Sequence, residues 1–211
     1  MRLPARFVLL LGSCVVLGAG VAMLLTADLG SDGYSTLVRG LSLTSGLAFW
    51  SANLIIGVIL LAMAAMRRVI PGVGTVIQVL VVGGVVTWLL DVLDTPDAMS
   101  ARVALLVAAM PVLAVGIAGY LGSHLGAAPI EAAGLAWDPP VPFRWSYSAV
   151  QGGGAVIGWL MGATLGVGTV AVIVLLGPMV DLASRWLHLD VHQQRTPSAD
   201  PPGSTSRRMD P

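Results

Sequence analysis

The sequence predicts an all-α polytopic membrane protein with about six transmembrane helices, arranged as two three-helix repeats. The first observation is composition: 56% of the 211 residues are hydrophobic and only 10% are charged, too few charges for the surface of a soluble domain of this size. The second is that LGAGVAMLLTADLG at 17–30 returns, with six identities, as LAVGIAGYLGSHLG at 113–126. The third is that GVGTV at 72–76 returns at 166–170. The chain therefore reads as a duplicated membrane unit.

Six apolar stretches are each long enough to cross a hydrocarbon core of about 30 Å. They lie at about 7–26, 47–66, 72–93, 103–122, 146–163 and 167–188. We predict a single transmembrane domain over residues 1–190, with repeat one at about 5–93 and repeat two at about 101–188. Residues 191–211 have no apolar periodicity and are rich in Pro and Ser, which predicts a disordered cytoplasmic tail.

The first apolar stretch follows Arg2 and Arg6 and has some features of a signal peptide. Its counterpart in the second repeat is internal, so we expect the first stretch to be retained as a transmembrane helix.

The distribution of arginine predicts the orientation of the helices, because cytoplasmic loops carry an excess of basic residues. With the N-terminus inside, only Arg39 and Arg102 fall in outside loops. The cytoplasmic segments then hold Arg2, Arg6, Arg67, Arg68, Arg144, Arg195, Arg207 and Arg208. We therefore expect both termini on the cytoplasmic side of a bacterial plasma membrane. Three crossings per repeat is an odd number, so the second repeat is expected to be inverted.

Two segments, 31–43 and 127–137, are too short and too polar to span a membrane alone, and they occupy the same place in each repeat. We interpret them as re-entrant or interfacial half-helices, which are tolerated where the backbone lines a protein cavity. The alternative is that both segments cross, which would give four spans per repeat and parallel halves.

A polar residue, a glycine turn and a short segment follow the first helix of each repeat. The polar residues concerned are Asp28 and Asp32 in the first half, and His124 and Glu131 in the second. One interpretation is a helix stop with interfacial charges. The other is a broken helix whose ends and acidic groups bind an ion or a solute.

The repeated GVGT motif opens a membrane helix in each half. Its members are Gly72, Gly74 and Thr75, with Gly166, Gly168 and Thr169 as the second copy. It matches neither a P-loop nor a dinucleotide fingerprint. Helix capping and close packing are the favoured interpretation, because any helix start needs a cap; anion binding at the free N–H groups is the alternative.

Polar groups inside the predicted spans are further candidates for ion or solute binding. Asp181 lies in the sixth span and Gln78 in the third. A carboxylate in hydrocarbon is costly unless it is paired or hydrated, and Arg185, one turn after Asp181, offers such a pairing. Three glycines occur at every fourth residue, a spacing typical of closely packed membrane helices; they are Gly154, Gly158 and Gly162. They predict a helix-packing face or a homodimer contact.

Several classes of function are disfavoured. The formal charge is zero, and no basic surface suggests nucleic acid. We expect no cofactor, no metal site and no catalytic residue, because no nucleophile–base pair or metal-ligand cluster is evident. The expected partners are the lipid bilayer, a small solute or ion, and a second copy of the chain.

The chain resembles the YczE/YyaS/YitT family of bacterial integral membrane proteins over roughly residues 5–187. The resemblance is carried by ADLG at 27–30, Trp50-Ser51, GVGT at 72–75, the LG…P turn at 125–129 and GVGTVAVIVLLGP at 166–178. It implies a cytoplasmic-membrane protein of unassigned activity.

Two hypotheses follow for function. In the first, the chain is a small secondary transporter or permease, with a site built from the broken-helix ends and with Asp181 assisting ion coupling. In the second, it is a non-transporting accessory or regulatory protein that acts on a protein partner through its glycine face or its tail.

Overall fold

The computed structural model describes residues 3–67, 72–137, 140–141 and 143–189. Every regular element within these residues is an α-helix. The eight helices are α1 Leu3–Ala27, α2 Gly33–Ser45, α3 Phe49–Met66, α4 Val73–Val92, α5 Met99–Gly122, α6 Pro129–Leu135, α7 Phe143–Leu160 and α8 Val167–Trp186. The predicted tail at 191–211 and the side chain of Asp181 lie outside the described residues.

Five of the described helices, α1, α3, α4, α5 and α8, are long and apolar enough to cross a membrane. The chain is therefore an all-helical, multi-pass membrane protein in contact with lipid. The predicted span at 146–163 corresponds to α7, which has 18 residues but is less hydrophobic because it carries Tyr147 and Gln151. A count of six crossings stays a prediction.

The two short helices occupy the segments expected to form half-helices. α2 has 13 residues and α6 has seven, and each follows a long helix and precedes two further long ones. At about 1.5 Å per residue, neither is long enough to cross a bilayer.

The centre of the molecule is the packing of α1 against α5. A Cβ added at Gly116 would lie 2.7 Å from Leu17 Cα, and one added at Gly20 would lie 2.9 Å from Leu113 Cγ. Such contacts require small residues at the crossing. The paired positions rise on one helix as they fall on the other, so α1 and α5 run antiparallel.

The remaining helices surround this pair. α4 packs on α1, and α8 packs on α5. Each short helix crosses to the other half of the chain: α2 packs on α7, and α6 packs on α3. The two halves are therefore interlocked rather than side by side.

The predicted glycine face has two members in the contact between α2 and α7. A Cβ at Gly154 would lie 2.7 Å from Gly33 O, and a Cβ at Gly158 would collide with Thr36 O. Gly162 is placed differently: it follows α7 in the turn at φ 93°, and a Cβ there would meet open space. Its role is that of a turn residue with a left-handed conformation.

Candidate functional site

A cavity of about 60 Å³ lies between the antiparallel pair and the N-terminal ends of both short helices. Its polar lining consists of Asp32, Tyr34, Ser35, Asn53, Gln78, Tyr120, Glu131, Tyr147 and Gln151. All three tyrosines of the chain are in this set. None of the described lining residues is Arg or His, so the cavity carries two carboxyl groups and no basic group.

Glu131 reaches the cavity because α6 begins there. Ala128 is the N-cap of α6 and Pro129 opens its first turn, a position that proline tolerates because it has no N–H to satisfy. Glu131 follows in that turn and is only 8% exposed. Its carboxyl lies beside the Tyr120 hydroxyl, yet Glu131 Oε2 has no hydrogen bond of good geometry. Glu131 is on a short helix rather than a spanning one, and burial raises the pKa of its carboxyl to about 7.

Asp32 enters the cavity from the turn before α2. It is the N-cap of that helix, and its Oδ2 accepts the Ser35 N–H at 3.0 Å. Since a carboxylate at a helix start satisfies free N–H groups and matches the helix dipole, Asp32 has a structural partner that Glu131 lacks.

One wall of the cavity is fixed by a chain of hydrogen bonds. The Tyr34 hydroxyl donates to Asn53 Oδ1 at 2.7 Å, and Asn53 Nδ2 donates to Val79 O at 2.8 Å. Gln151 Oε1 accepts the Tyr34 N–H at 3.2 Å, while Gln151 Nε2 donates to the Tyr147 hydroxyl at 2.9 Å. These hydrogen bonds join α2, α3, α4 and α7, and they occupy both side-chain polar atoms of Asn53 and of Gln151.

Three other polar side chains of the lining have a buried oxygen without a hydrogen bond of good geometry. Gln78 on α4 is 7% exposed, and its Oε1 has no hydrogen-bond partner. The Tyr120 hydroxyl on α5 is in the same state at 1% exposure. With Glu131 Oε2, three buried oxygens of the lining make no hydrogen bond of good geometry, although the Tyr120 hydroxyl and the Glu131 carboxyl lie beside each other; buried polar atoms are normally paired.

Asp28 is not in this cavity. It lies at the end of α1 with φ 49°, and its Oδ2 forms an ion pair of 2.8 Å with Arg102 Nη2 at the start of α5. Thr164, in the connection to α8, donates to Asp28 Oδ1 at 2.7 Å. Asp28 and Thr164, with Arg39, border a separate polar pocket of about 260 Å³.

His124 is also outside the cavity. It ends α5 with φ 53° and is exposed. Because α1 and α5 are antiparallel and about 25 residues long, Asp28 and His124 are roughly 30 Å or more apart. The structure therefore does not bring Asp28 and His124 together with Asp32 and Glu131, as the sequence predicted. Asp28 and His124 each have a left-handed backbone conformation just after the end of a long helix.

The GVGT motifs form hydrogen bonds to the turns that follow α1 and α5. Gly72 and Gly166 are the N-caps of α4 and α8, so the caps are the glycines rather than the threonines. The Gly74 N–H donates to Leu125 O at 3.0 Å, and the Gly168 N–H donates to Leu29 O at 2.8 Å. Each motif thus holds the turn in the other half of the chain, and these N–H groups have protein partners rather than an open anion site.

The threonines of the two motifs also bond within the protein. Thr75 Oγ1 donates to Ala127 O at 2.6 Å, and Thr169 Oγ1 accepts the Gly166 N–H at 3.5 Å.

Sequence reasoning identified Asp32, Gln78 and Glu131 for the cavity but missed several of its polar members. Those missed as site residues are Tyr34, Asn53, Tyr120, Tyr147 and Gln151. The available signal was the presence of amides and all the tyrosines within or beside apolar stretches.

A protein of Haemophilus influenzae described as uncharacterized is 26% identical over 177 residues, which cover 82% of this chain and 80% of that protein. No solved structure matches the chain with significance. Residues 4–185 match the model of a family of unknown function, DUF6198, a match that does not name the YczE/YyaS/YitT family. On that match, which spans nearly all of the helical region, the chain belongs to family DUF6198.

Proposed function

We propose that this protein is a small secondary transporter or permease of the bacterial cytoplasmic membrane, of the YczE/YyaS/YitT type, rather than an enzyme. The substrate site is the central cavity, and two inverted repeats surround it. Both termini are cytoplasmic in this arrangement.

The observation that carries the proposal is the pairing of repeat positions around the cavity. Leu17 and Leu113, which are 96 positions apart, both line it. Val21 and Ile117 do so at the same offset. The antiparallel course of α1 and α5, which begin the two halves, supports inversion. In transporters built from inverted repeats, the site lies at the repeat interface near the middle of the membrane.

The two short helices give further support. α2 and α6 both begin at the cavity, where Asp32 and Ala128 are their N-caps. Interrupted helices whose ends point at a central site are the usual way in which transporters expose backbone and polar groups inside a membrane.

The two ends of the α1–α5 pair differ in a way that suits alternating access. Asp28 and Arg102 form an ion pair at one end, the outer end in the predicted orientation. The positions 96 residues away are His124 and Arg6, which cannot form the same carboxylate–guanidinium pair. We infer that the outer end is held closed, and that opening it requires the Asp28–Arg102 pair to separate.

Cysteine accessibility tests the proposal without knowledge of the substrate. In a Cys14→Ser background, Val82→Cys places a thiol in the cavity lining. In right-side-out and inside-out vesicles, we expect an impermeant maleimide to label it from both sides. Arg102→Ala should increase labelling from the outside at least threefold. Thr95→Cys, in the outside loop, is the control and should react from one side only.

A cavity thiol that reacts from neither side, in a folded protein, would contradict transport. That result would favour the accessory hypothesis, in which the cavity is only part of the core.

A further inference from the structure

We propose that the central cavity binds a small monovalent cation, with Glu131 as its counter-charge and with Gln78 and Tyr120 as oxygen ligands. The proposal rests on the proposed function, since it names the class of ligand that the same cavity takes.

Charge is the first argument. The described lining contains Asp32 and Glu131 and no basic residue, so the formal charge of its side chains is negative or zero and favours a cation over an anion. Asp32 already accepts the Ser35 N–H and caps α2, whereas Glu131 Oε2 has no hydrogen bond of good geometry and its carboxyl has the uncharged Tyr120 hydroxyl as a neighbour. An ionised carboxylate buried without a partner is strongly disfavoured. A bound cation supplies the missing partner.

The type of unsatisfied atom is the second argument. Gln78 Oε1, Tyr120 Oη and Glu131 Oε2 are all oxygens, and an amide or carboxylate oxygen can only accept a hydrogen bond or coordinate a cation. Carboxylate and carbonyl oxygens are the preferred ligands of hard cations. The amide oxygens of Asn53 and Gln151 do not compete for the cation, because each already accepts a hydrogen bond from Tyr34.

The volume of the cavity and the number of its free carboxylates limit the class of ligand that it can bind. A cavity of about 60 Å³ has room for a few water molecules or one partly hydrated ion, and not for a sugar or an amino acid. Among the described residues no three His, Cys, Asp or Glu side chains come together to hold a metal ion. One free carboxylate matches one positive charge: Na⁺, K⁺ or ammonium.

The alternative occupant is a proton on Glu131 alone, which would neutralise the carboxyl without any ion. That alternative predicts a dependence on pH but no dependence on the identity of the salt, so one experiment separates the two.

The test is thermal unfolding of the purified protein in detergent at pH 8. NaCl, KCl, NH₄Cl and choline chloride are compared at equal ionic strength. We expect at least one of the three small cations to raise Tm by several degrees in a saturable manner, and choline, which is larger and has no N–H donor, to have no effect. Glu131→Gln should abolish the rise, and Gln78→Leu should weaken the apparent affinity at least tenfold.

The matched control is Asp91→Asn, which removes an exposed acid from the same helix as Gln78 and should keep the full response. Glu131→Asp keeps the carboxylate on a shorter side chain and should show a smaller cation-dependent rise in Tm. This variant replaces Glu131→Gln in the test if the latter does not fold. An equal response to all four salts, or a full response in Glu131→Gln, would overturn the proposal.

The outcomes also separate this proposal from transport. If a specific cation raises Tm but the cavity thiol is not labelled from both sides, the protein has a cation site and does not transport. If the cavity thiol is labelled from both sides but no cation raises Tm, the transport proposal stands and the cation proposal is wrong.

Discussion

Glu131 and Ser35 occupy positions 96 residues apart, and both line the cavity. Ser35 donates its N–H to Asp32 and belongs to the cap of α2. Glu131 instead brings a carboxyl into the lining, whose described residues include no Arg or His. At this pair, and at Asp32 and Ala128, which are also 96 positions apart, one half of the chain contributes a carboxyl to the lining and the other half does not.

Glu131 makes stability depend on pH in a defined direction. Its pKa is raised from 4.5 to about 7 by burial, so the folded protein holds a proton that the unfolded chain releases. Without a cation, the free energy of unfolding should therefore fall as the pH rises from 4.5 to about 7, by at most about 1.4 kcal/mol per pH unit. The facing ionisable groups are Asp32, Tyr34, Tyr120 and Tyr147, none of them cationic.

The measurement is Tm in choline chloride from pH 5 to 8.5. We expect the fall to be absent in Glu131→Gln and to be reversed by the cation that binds. A wild-type Tm that tracks the Glu131→Gln protein across this range would show that the carboxyl does not titrate there.

At the scale of the helix, apolar length alone predicted most elements. Each predicted stretch coincides with a helix to within a few residues, because about 20 apolar residues are needed to cross the hydrocarbon core. The partners of the short helices were not predictable in this way. α2 packs on α7 and α6 on α3, and these contacts between distant segments decide which polar side chains meet in the cavity.

The α2–α7 contact depends on Gly158. A methyl group there would collide with the backbone at Thr36, and backbone cannot move aside as a flexible side chain can. We expect Gly158→Ala to destabilise the protein by about 1–3 kcal/mol, measured as a lower Tm in detergent. Gly153→Ala is the matched control: Gly153 is exposed on the same helix with open space around it, so the change should be neutral or slightly stabilising. Equal losses in both variants would contradict the close packing.

At the scale of the whole molecule, the interlocked arrangement explains why Asp28 and His124 were predicted at the site but lie outside it. Sequence places each of them one turn before a short helix that does reach the cavity. The left-handed turn at each residue sends its side chain to the end of the α1–α5 pair, and α1 and α5 run in opposite directions. Only the three-dimensional arrangement shows that the two turns lie at opposite ends.

Inversion of the halves predicts opposite exposure for equivalent positions. Ser45 is the last residue of α2 and Val141 follows α6; they are 96 residues apart, and both are exposed. In a Cys14→Ser background, we expect Ser45→Cys to react with an impermeant thiol reagent in intact cells. Val141→Cys should react only after the membrane is permeabilised, because antiparallel α1 and α5 place the two loops on opposite sides. Reaction of both in intact cells would mean parallel halves, and it would remove the two-fold relation on which a transport site between the repeats depends.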